Sequence, residues 1–237
     1  PGANLIPLME LESKLFELPG DREMIFYCRS GSRARAASAL VAEGEVSGKK
    51  IYNLTGGIMA WDGKELPGSP KVEVFGKGKG FAELLFKAMD LEKGAYRFYT
   101  YVQDKFGRER FAKTIENLVQ EETAHAKIIY RFWKESEPQP PPFDSLFNEL
   151  GGEVLEGGER LDDVLRRLET IEENVCLTLL EMALDIEYSA YDLYRTMSEQ
   201  TEIEEAKSAF LSIAQAEKAH MRAVAEAISH CPEVGSN

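Results

Sequence analysis

Apolar positions along the chain follow two grammars. In residues 1–62, short apolar runs alternate with a helical stretch: Met24-Ile25-Phe26-Tyr27 and Lys50-Ile51-Tyr52-Asn53-Leu54 read as strands that flank a helix over 32–43. That is α/β patterning. Residues 63–80 are rich in Gly, Lys, Pro and Ser with little apolar periodicity, which predicts a linker. From Phe81 the period becomes helical, with spans predicted at 81–106, 108–135, 168–199 and 202–230 and a break at Glu137-Pro138-Gln139-Pro140-Pro141-Pro142. The second connection is long and the other two are tight, so residues 81–237 should form an all-α four-helix bundle with one long crossover.

The helical half repeats itself. Leu84-Leu85-Phe86-Lys87-Ala88-Met89-Asp90-Leu91-Glu92 is echoed by Leu179-Leu180-Glu181-Met182-Ala183-Leu184-Asp185-Ile186-Glu187, an offset of 95 residues. The same offset carries Tyr96 to Tyr191, Tyr99 to Tyr194, Glu122 to Glu217 and His125 to His220. A duplicated helix pair follows. On each helix the ionisable residue lies inside the apolar stripe: Glu92 among Leu85, Ala88, Met89 and Ala95, and Glu187 among Leu180, Ala183, Leu184 and Ala190. Glu122 with His125, and Glu217 with His220, do the same on their helices, and the i, i+3 step puts each carboxylate and imidazole on one face.

Four inward carboxylates must be protonated, paired or bound to cations. Inward basic residues are scarce in the pattern, whereas two divalent ions would balance four glutamates and two neutral imidazoles would complete the ligand set. One Glu from each of two helices and Glu-x-x-His from each of the other two is the constellation of di-iron carboxylate bundles. A single Glu-x-x-His is ordinarily a solvated pair. Here two of the three histidines stand in that motif, symmetrically, on apolar stripes, and His230 is left for the surface.

At 237 residues and 43% hydrophobic content, the chain can bury a core in each half. Lys and Arg number 28 against 41 Asp and Glu, and the net charge of −13 disfavours nucleic acid or an anionic membrane as partner. No long apolar run or signal-peptide layout is present, so the cytoplasm is the default compartment. Cys28, Cys176 and Cys231, widely spaced, suggest no disulfide framework, and Cys176 is expected to pack as a small hydrophobe.

Over 81–230 the chain resembles the rubrerythrin and ferritin-like superfamily, with Glu122-Thr123-Ala124-His125-Ala126 and Glu217-Lys218-Ala219-His220 as its signature. The resemblance implies two iron ions, or manganese or zinc, held by Glu92, Glu122, His125, Glu187, Glu217 and His220. It also implies peroxide or dioxygen as substrate. Rubrerythrins often add a carboxylate one turn along the third helix, where this chain has Ala190, and carry a four-cysteine rubredoxin centre that three cysteines cannot build. Electrons would come from an external donor. Tyr96, Tyr99, Tyr191 and Tyr194 either hydrogen-bond to the ligands and relay electrons or pack as core. Asp90 and Asp185 are equally open.

Tyr27-Cys28-Arg29-Ser30-Gly31-Ser32-Arg33 leads from a strand into a helix, which places the Cys28 thiol in a loop where backbone amides and two arginines favour an anion. This loop resembles the active-site loop of rhodanese domains, and Gly56-Gly57-Ile58-Met59-Ala60-Trp61 resembles their closing segment. The resemblance implies a persulfide on Cys28, held by the loop Arg29, Ser30, Gly31, Ser32 and Arg33, and a sulfur donor. Pro1 to Leu8 resembles the middle of such a domain, so the sheet is expected to be incomplete and to borrow partners, as in a homodimer. Three functions follow: a di-iron oxidoreductase, a sulfurtransferase with the bundle as an assembly module, and a non-catalytic iron binder or sensor.

Overall fold

The computed structural model describes residues 3–44, 48, 50–61 and 81–232. The predicted linker at 63–80 lies outside the described residues. In the N-terminal segment a short helix α1 (Leu8–Leu11) and a 3-10 turn (Glu12–Glu17) precede strand β1 (Met24–Phe26), helix α2 (Ser32–Glu43), strand β2 (Ile51–Asn53) and helix α3 (Gly57–Trp61). β1 and β2 pair in parallel, with Met24 opposite Ile51 and Phe26 opposite Asn53. Parallel strands need a crossover, and α2 supplies it, burying Ala37, Leu40 and Val41 against Leu11 and Met24. Among the described residues the sheet has these two strands, and its other face leaves Ile25 69% and Tyr52 42% exposed.

The bundle consists of α4 (Phe81–Phe106), α5 (Ala112–Trp133), α8 (Val175–Gln200) and α9 (Glu204–Ser229), within a few residues of the predicted spans except at the start of α8. Its third predicted span opened at 168, but Thr170 and a left-handed Asn174 separate α7 (Leu161–Glu169) from α8, and α6 (Phe143–Glu149) precedes both in the crossover. α4 packs on α5 and α8 on α9, as the duplication requires. The shared core takes Leu85, Phe98, Ile115, Ile129, Leu180, Phe210 and Ile213 from all four helices.

The N-terminal segment docks on the second helix pair through charge. Arg29 Nη1 and Arg33 Nη2 lie 3.1 and 3.0 Å from the two carboxylate oxygens of Glu181. The Ser32 hydroxyl donates to Asp185 at 2.7 Å, and Arg35 stands 3.3 Å from the same carboxylate. From α9, Lys218 reaches Glu43 at 2.7 Å and Arg222 donates to Glu12 at 2.7 Å.

The cysteine expectation is corrected. Cys176, at the start of α8, and Cys231, just past the end of α9, are disulfide-bonded across 55 residues, and Cys28 is free. The first and last turns of an antiparallel helix pair meet in space whatever their separation along the chain. With that bond, the cysteines do not argue for a reducing compartment. No helix among the described residues is long and apolar enough to cross a membrane.

Glu181 is 5% exposed while its arginine partners retain about a third of their exposure, so Glu181→Ala strands two cations that can partly rehydrate. A loss of ~1–3 kcal/mol is expected, together with faster amide exchange in β1 and α2 than in α4 and α5. Equal exchange in all four would show that the clamp does not hold the segment. Closing a loop of this length constrains the unfolded chain by up to about 4 kcal/mol. Cys231→Ser should therefore lower Tm in non-reducing buffer and abolish the effect of a thiol reductant on Tm.

Candidate metal centre

Helical spacing delivers six side chains to one place. Glu92, Glu122, His125, Glu187, Glu217 and His220 are all buried, each on the apolar stripe of its helix. Glu92, Glu122, His125 and Glu217 each bring one ligand atom within 4.8 Å of the others'. Glu122, Glu187 and His220 form a second such group, so Glu122 belongs to both. The two imidazoles stack with centroids 5.3 Å apart. Glu217 lies between them, one oxygen 2.7 Å from His125 Nδ1 and the other 3.1 Å from His220 Nδ1. His220 Nδ1 is also 2.9 Å from Glu187.

Close approach here is only partly matched by hydrogen bonding, which joins His220 to Glu187 and Glu217 and Tyr99 to Glu187. Both oxygens of Glu92, both nitrogens of His125 and one oxygen of Glu217 are buried without a hydrogen bond of acceptable geometry, although His125 and Glu217 nearly touch. No lysine or arginine is among the buried residues described. Converging donor atoms, several of them without hydrogen bonds, suit a divalent cation, and carboxylate with imidazole suits iron, manganese or zinc. The donors present therefore fit a pair of such ions.

Electrostatics agree. Burial first, then the charges on Glu217 and Glu187, push the carboxyls of Glu92 and Glu122 well above their ordinary value. Burial also raises Glu187 to about 7 against the pull of His220. For Glu217 burial acts upward, but His125 and His220 outweigh it and hold the carboxyl far below its usual range. Burial opposes the charging of the imidazoles, yet Glu217 lifts His125 to about 9 and Glu187 lifts His220 to about 11.

The four tyrosines part company. Tyr99 is fully buried and its hydroxyl donates to Glu187 across the bundle. Its repeat partner Tyr194 is equally buried but its hydroxyl has no partner, and its ring stacks on Phe210. Tyr96 packs edge-on against Phe147 of the crossover, and Tyr191 lies near Glu43 and Arg195, away from the carboxylates. The two aspartates are anchors: Asp90 accepts from the Gly152 amide at 2.9 Å, and Asp185 holds Ser32.

Two residues escaped the sequence reading. Glu121 is exposed but groups with His125 and His220 from outside. Glu156, in the crossover, is buried among the ligands' charges. The i, i+3 rule that found the others has no purchase on either: Glu121 lies beside the stripe, and Glu156 stands in a glycine-rich loop.

At the N-terminal site, Cys28 Sγ accepts from the Gly31 amide at 3.1 Å. Gly31 has φ +103°, and a Cβ there would lie 2.8 Å from the Gly56 amide nitrogen. At Gly57, φ +60°, a Cβ would stand 2.5 Å from the Cys28 carbonyl oxygen. The two motifs thus close backbone against backbone, which only glycine permits. Ser30 lies 3.5 Å from Ser32, while Arg29, Ser32 and Arg33 are engaged by bundle carboxylates.

In chelator-treated protein the folded state should hold more protons than the unfolded chain, because Glu92, Glu122, Glu187, His125 and His220 all titrate above the 4.5 and 6.5 of free carboxyls and imidazoles. The opposite shift of Glu217 acts only below 4.5. Stability should then fall as pH rises from about 5 to about 9. A Tm that climbs over that interval would contradict this arrangement of charges.

Comparison with known proteins completes the picture. A family model described as a rhodanese-like domain matches residues 1–64, and one described as rubrerythrin matches 83–149 and 178–233. A sulfurtransferase of Allochromatium vinosum is 36% identical over 67 residues, 28% of this chain and 61% of that protein. A putative sulfurtransferase of Bacillus subtilis is 36% identical over 28% of this chain and 62% of its own length. A helix-turn-helix transcriptional regulator of Mycobacterium tuberculosis is 37% identical over 28% of this chain and 29% of its length. The chain thus spans about three-fifths of the two sulfurtransferases and under a third of the regulator. No solved structure matches. With the duplicated Glu-x-x-His pairs converging in the bundle and the glycine-closed cysteine loop ahead of them, the chain belongs to the rubrerythrin family and carries a rhodanese-like domain at its N-terminal end.

Proposed function

We propose that this protein is a di-iron oxidoreductase that reduces hydrogen peroxide, or dioxygen, with electrons from an external donor. The observation that carries this reading is the convergence of six buried donors, several without hydrogen bonds, where no buried lysine or arginine is described. Glu92, Glu122, His125 and Glu217 would hold one ion and Glu187 and His220, with Glu122 shared, the other. Bound iron supplies a one-electron couple at each position, so a pair matches the two electrons and two protons that convert peroxide to two waters. Manganese or zinc would fit the same donors, and zinc would bring no redox couple.

The rest is work done by the chain. Tyr99 fixes the orientation of Glu187 by donating its hydroxyl to it. Glu217, between both imidazoles, lies 2.7 Å from His125 Nδ1 and 3.1 Å from His220 Nδ1 and so holds both rings toward the centre. The surrounding Leu85, Phe98, Ile129 and Phe210 keep bulk water from the carboxylates. Glu121, exposed beside both histidines, marks the side nearest solvent.

The N-terminal site handles sulfane sulfur as a persulfide on Cys28, received from a sulfur donor. A second reading, sulfur transfer with the bundle as an assembly module, is favoured by the similarity to sulfurtransferases and by the closed Cys28 loop. The unpaired face with Ile25 and Tyr52 suits a second copy of the chain as partner.

Anaerobically purified protein should contain about two irons per chain, and His125→Ala with His220→Ala should lose them. Stoichiometric peroxide should oxidise the reduced site, seen as new near-ultraviolet absorption, and Cys28→Ser should leave that reaction unchanged. Iron that peroxide fails to oxidise, together with cyanolysis of thiosulfate dependent on Cys28, would replace the leading reading by sulfur transfer. Many irons per chain would instead indicate storage.

A further inference from the structure

Between α6 and α7 the crossover turns back on itself in a small hairpin. Val154 bridges to Arg160, the Leu155 amide donates to Glu159 at 2.9 Å, and the Gly158 amide donates to Leu155 at 2.8 Å. This hairpin is fastened to α4 around Glu92. Asp90 takes the Gly152 amide, and Arg97 donates to the Gly151 carbonyl at 2.5 Å. A Cβ at Gly94 would stand 2.4 Å from the Val154 carbonyl oxygen, and one at Gly152 would lie 2.7 Å from Lys93 backbone. Two backbones meet there without intervening side chains, two residues from a candidate ligand.

Such docking carries Glu156 inside. Its side chain is 4% exposed, and both carboxylate oxygens are buried without a hydrogen bond. The groups whose charges act on it, or on which it acts, come from all four bundle helices: Glu92 and Tyr99 on α4, His125 on α5, Glu187 on α8 and Glu217 on α9. No lysine or arginine stands among the buried residues described, and His125 is the basic group whose charge acts on it. A carboxylate buried in this way is compensated by a proton or by a metal ion. In this structure its oxygens lie outside the three groups of mutually close ligand atoms, so ligation requires rotation of the side chain. No hydrogen bond of acceptable geometry holds either oxygen in its present place.

We propose that Glu156 is a fifth carboxylate of the metal centre, supplied by the crossover hairpin rather than by a bundle helix, and that it couples the seating of that hairpin to metal binding. The proposal rests on the two-metal reading of the site. A ligand on a loop can approach and withdraw while the helical ligands stay fixed, so occupancy of the site is linked to the hairpin's order.

The test uses the full chain, stripped with chelator and titrated anaerobically with cobalt(II), whose visible bands report ligand number. Wild type should bind about two ions per chain. Glu156→Gln, and Glu156→Asp as a second variant with the charge kept but the reach shortened, should weaken one of the two ions by about 10–100-fold and change the intensity of its bands. Amide exchange over 151–161 should slow on metal addition in wild type and not in Glu156→Gln. Unchanged affinity, spectra and exchange in both variants would overturn the proposal and leave Glu156 as a buried carboxyl outside the metal centre. Failure of wild type itself to bind two ions would overturn the two-metal reading first, and with it the role assigned here.

Discussion

Carboxylates buried beside two imidazoles, with no lysine or arginine among the buried residues described, are the constraint around which this bundle is organised. Each helix must keep its apolar stripe in register so that the charged residue faces the others and not a wall of leucine. That is why the four long helices are regular through the site, and why Glu92, Glu187 and Glu217 are as buried as the hydrophobic residues one turn away. A carboxylate kept in such a core is compensated by a proton, a charged imidazole or a metal cation.

The duplication was elaborated asymmetrically, and the differences explain how the two halves join. Position for position, Phe86, Thr123 and Lys127 of the first copy stand where the second has Glu181, Lys218 and Arg222. Phe86 packs on Trp133 and Lys127 lies over the Phe143 ring, both within the bundle and its crossover. Glu181, Lys218 and Arg222 instead hold Arg29, Arg33, Glu43 and Glu12 of the N-terminal segment. Even the shared aspartate is reused, since Asp90 pins the crossover and Asp185 pins α2. Each helix pair thus presents its outer face to a different partner, and Ala36 and Leu8 of the N-terminal segment pack against the bundle core.

The Cys28 loop is tied to the bundle by the same contacts. Arg29 and Arg33, which flank the loop, are paired with Glu181, six residues before Glu187 on the same helix.

Most of the bundle and six residues of its candidate site were legible in the sequence, because helical periodicity is local and the internal repeat shows the same pattern twice. Glu92, Glu122, His125, Glu187, Glu217 and His220 announce themselves by lying on apolar stripes, and their convergence follows from packing those stripes together. What escaped depends on contacts between distant segments. Cys176 and Cys231 meet because antiparallel helices bring their ends together, which their spacing of 55 residues does not show. Arg29 and Arg33 look like free cations until α8 arrives beside them. Glu156 is one acidic residue among glycines, and only the docking of its hairpin on Gly94 makes it part of the site. Local patterning determined the helices and the faces they bury; the tertiary structure alone decided what the loops and the second copy's outer charges would meet, since those contacts carry no period to read.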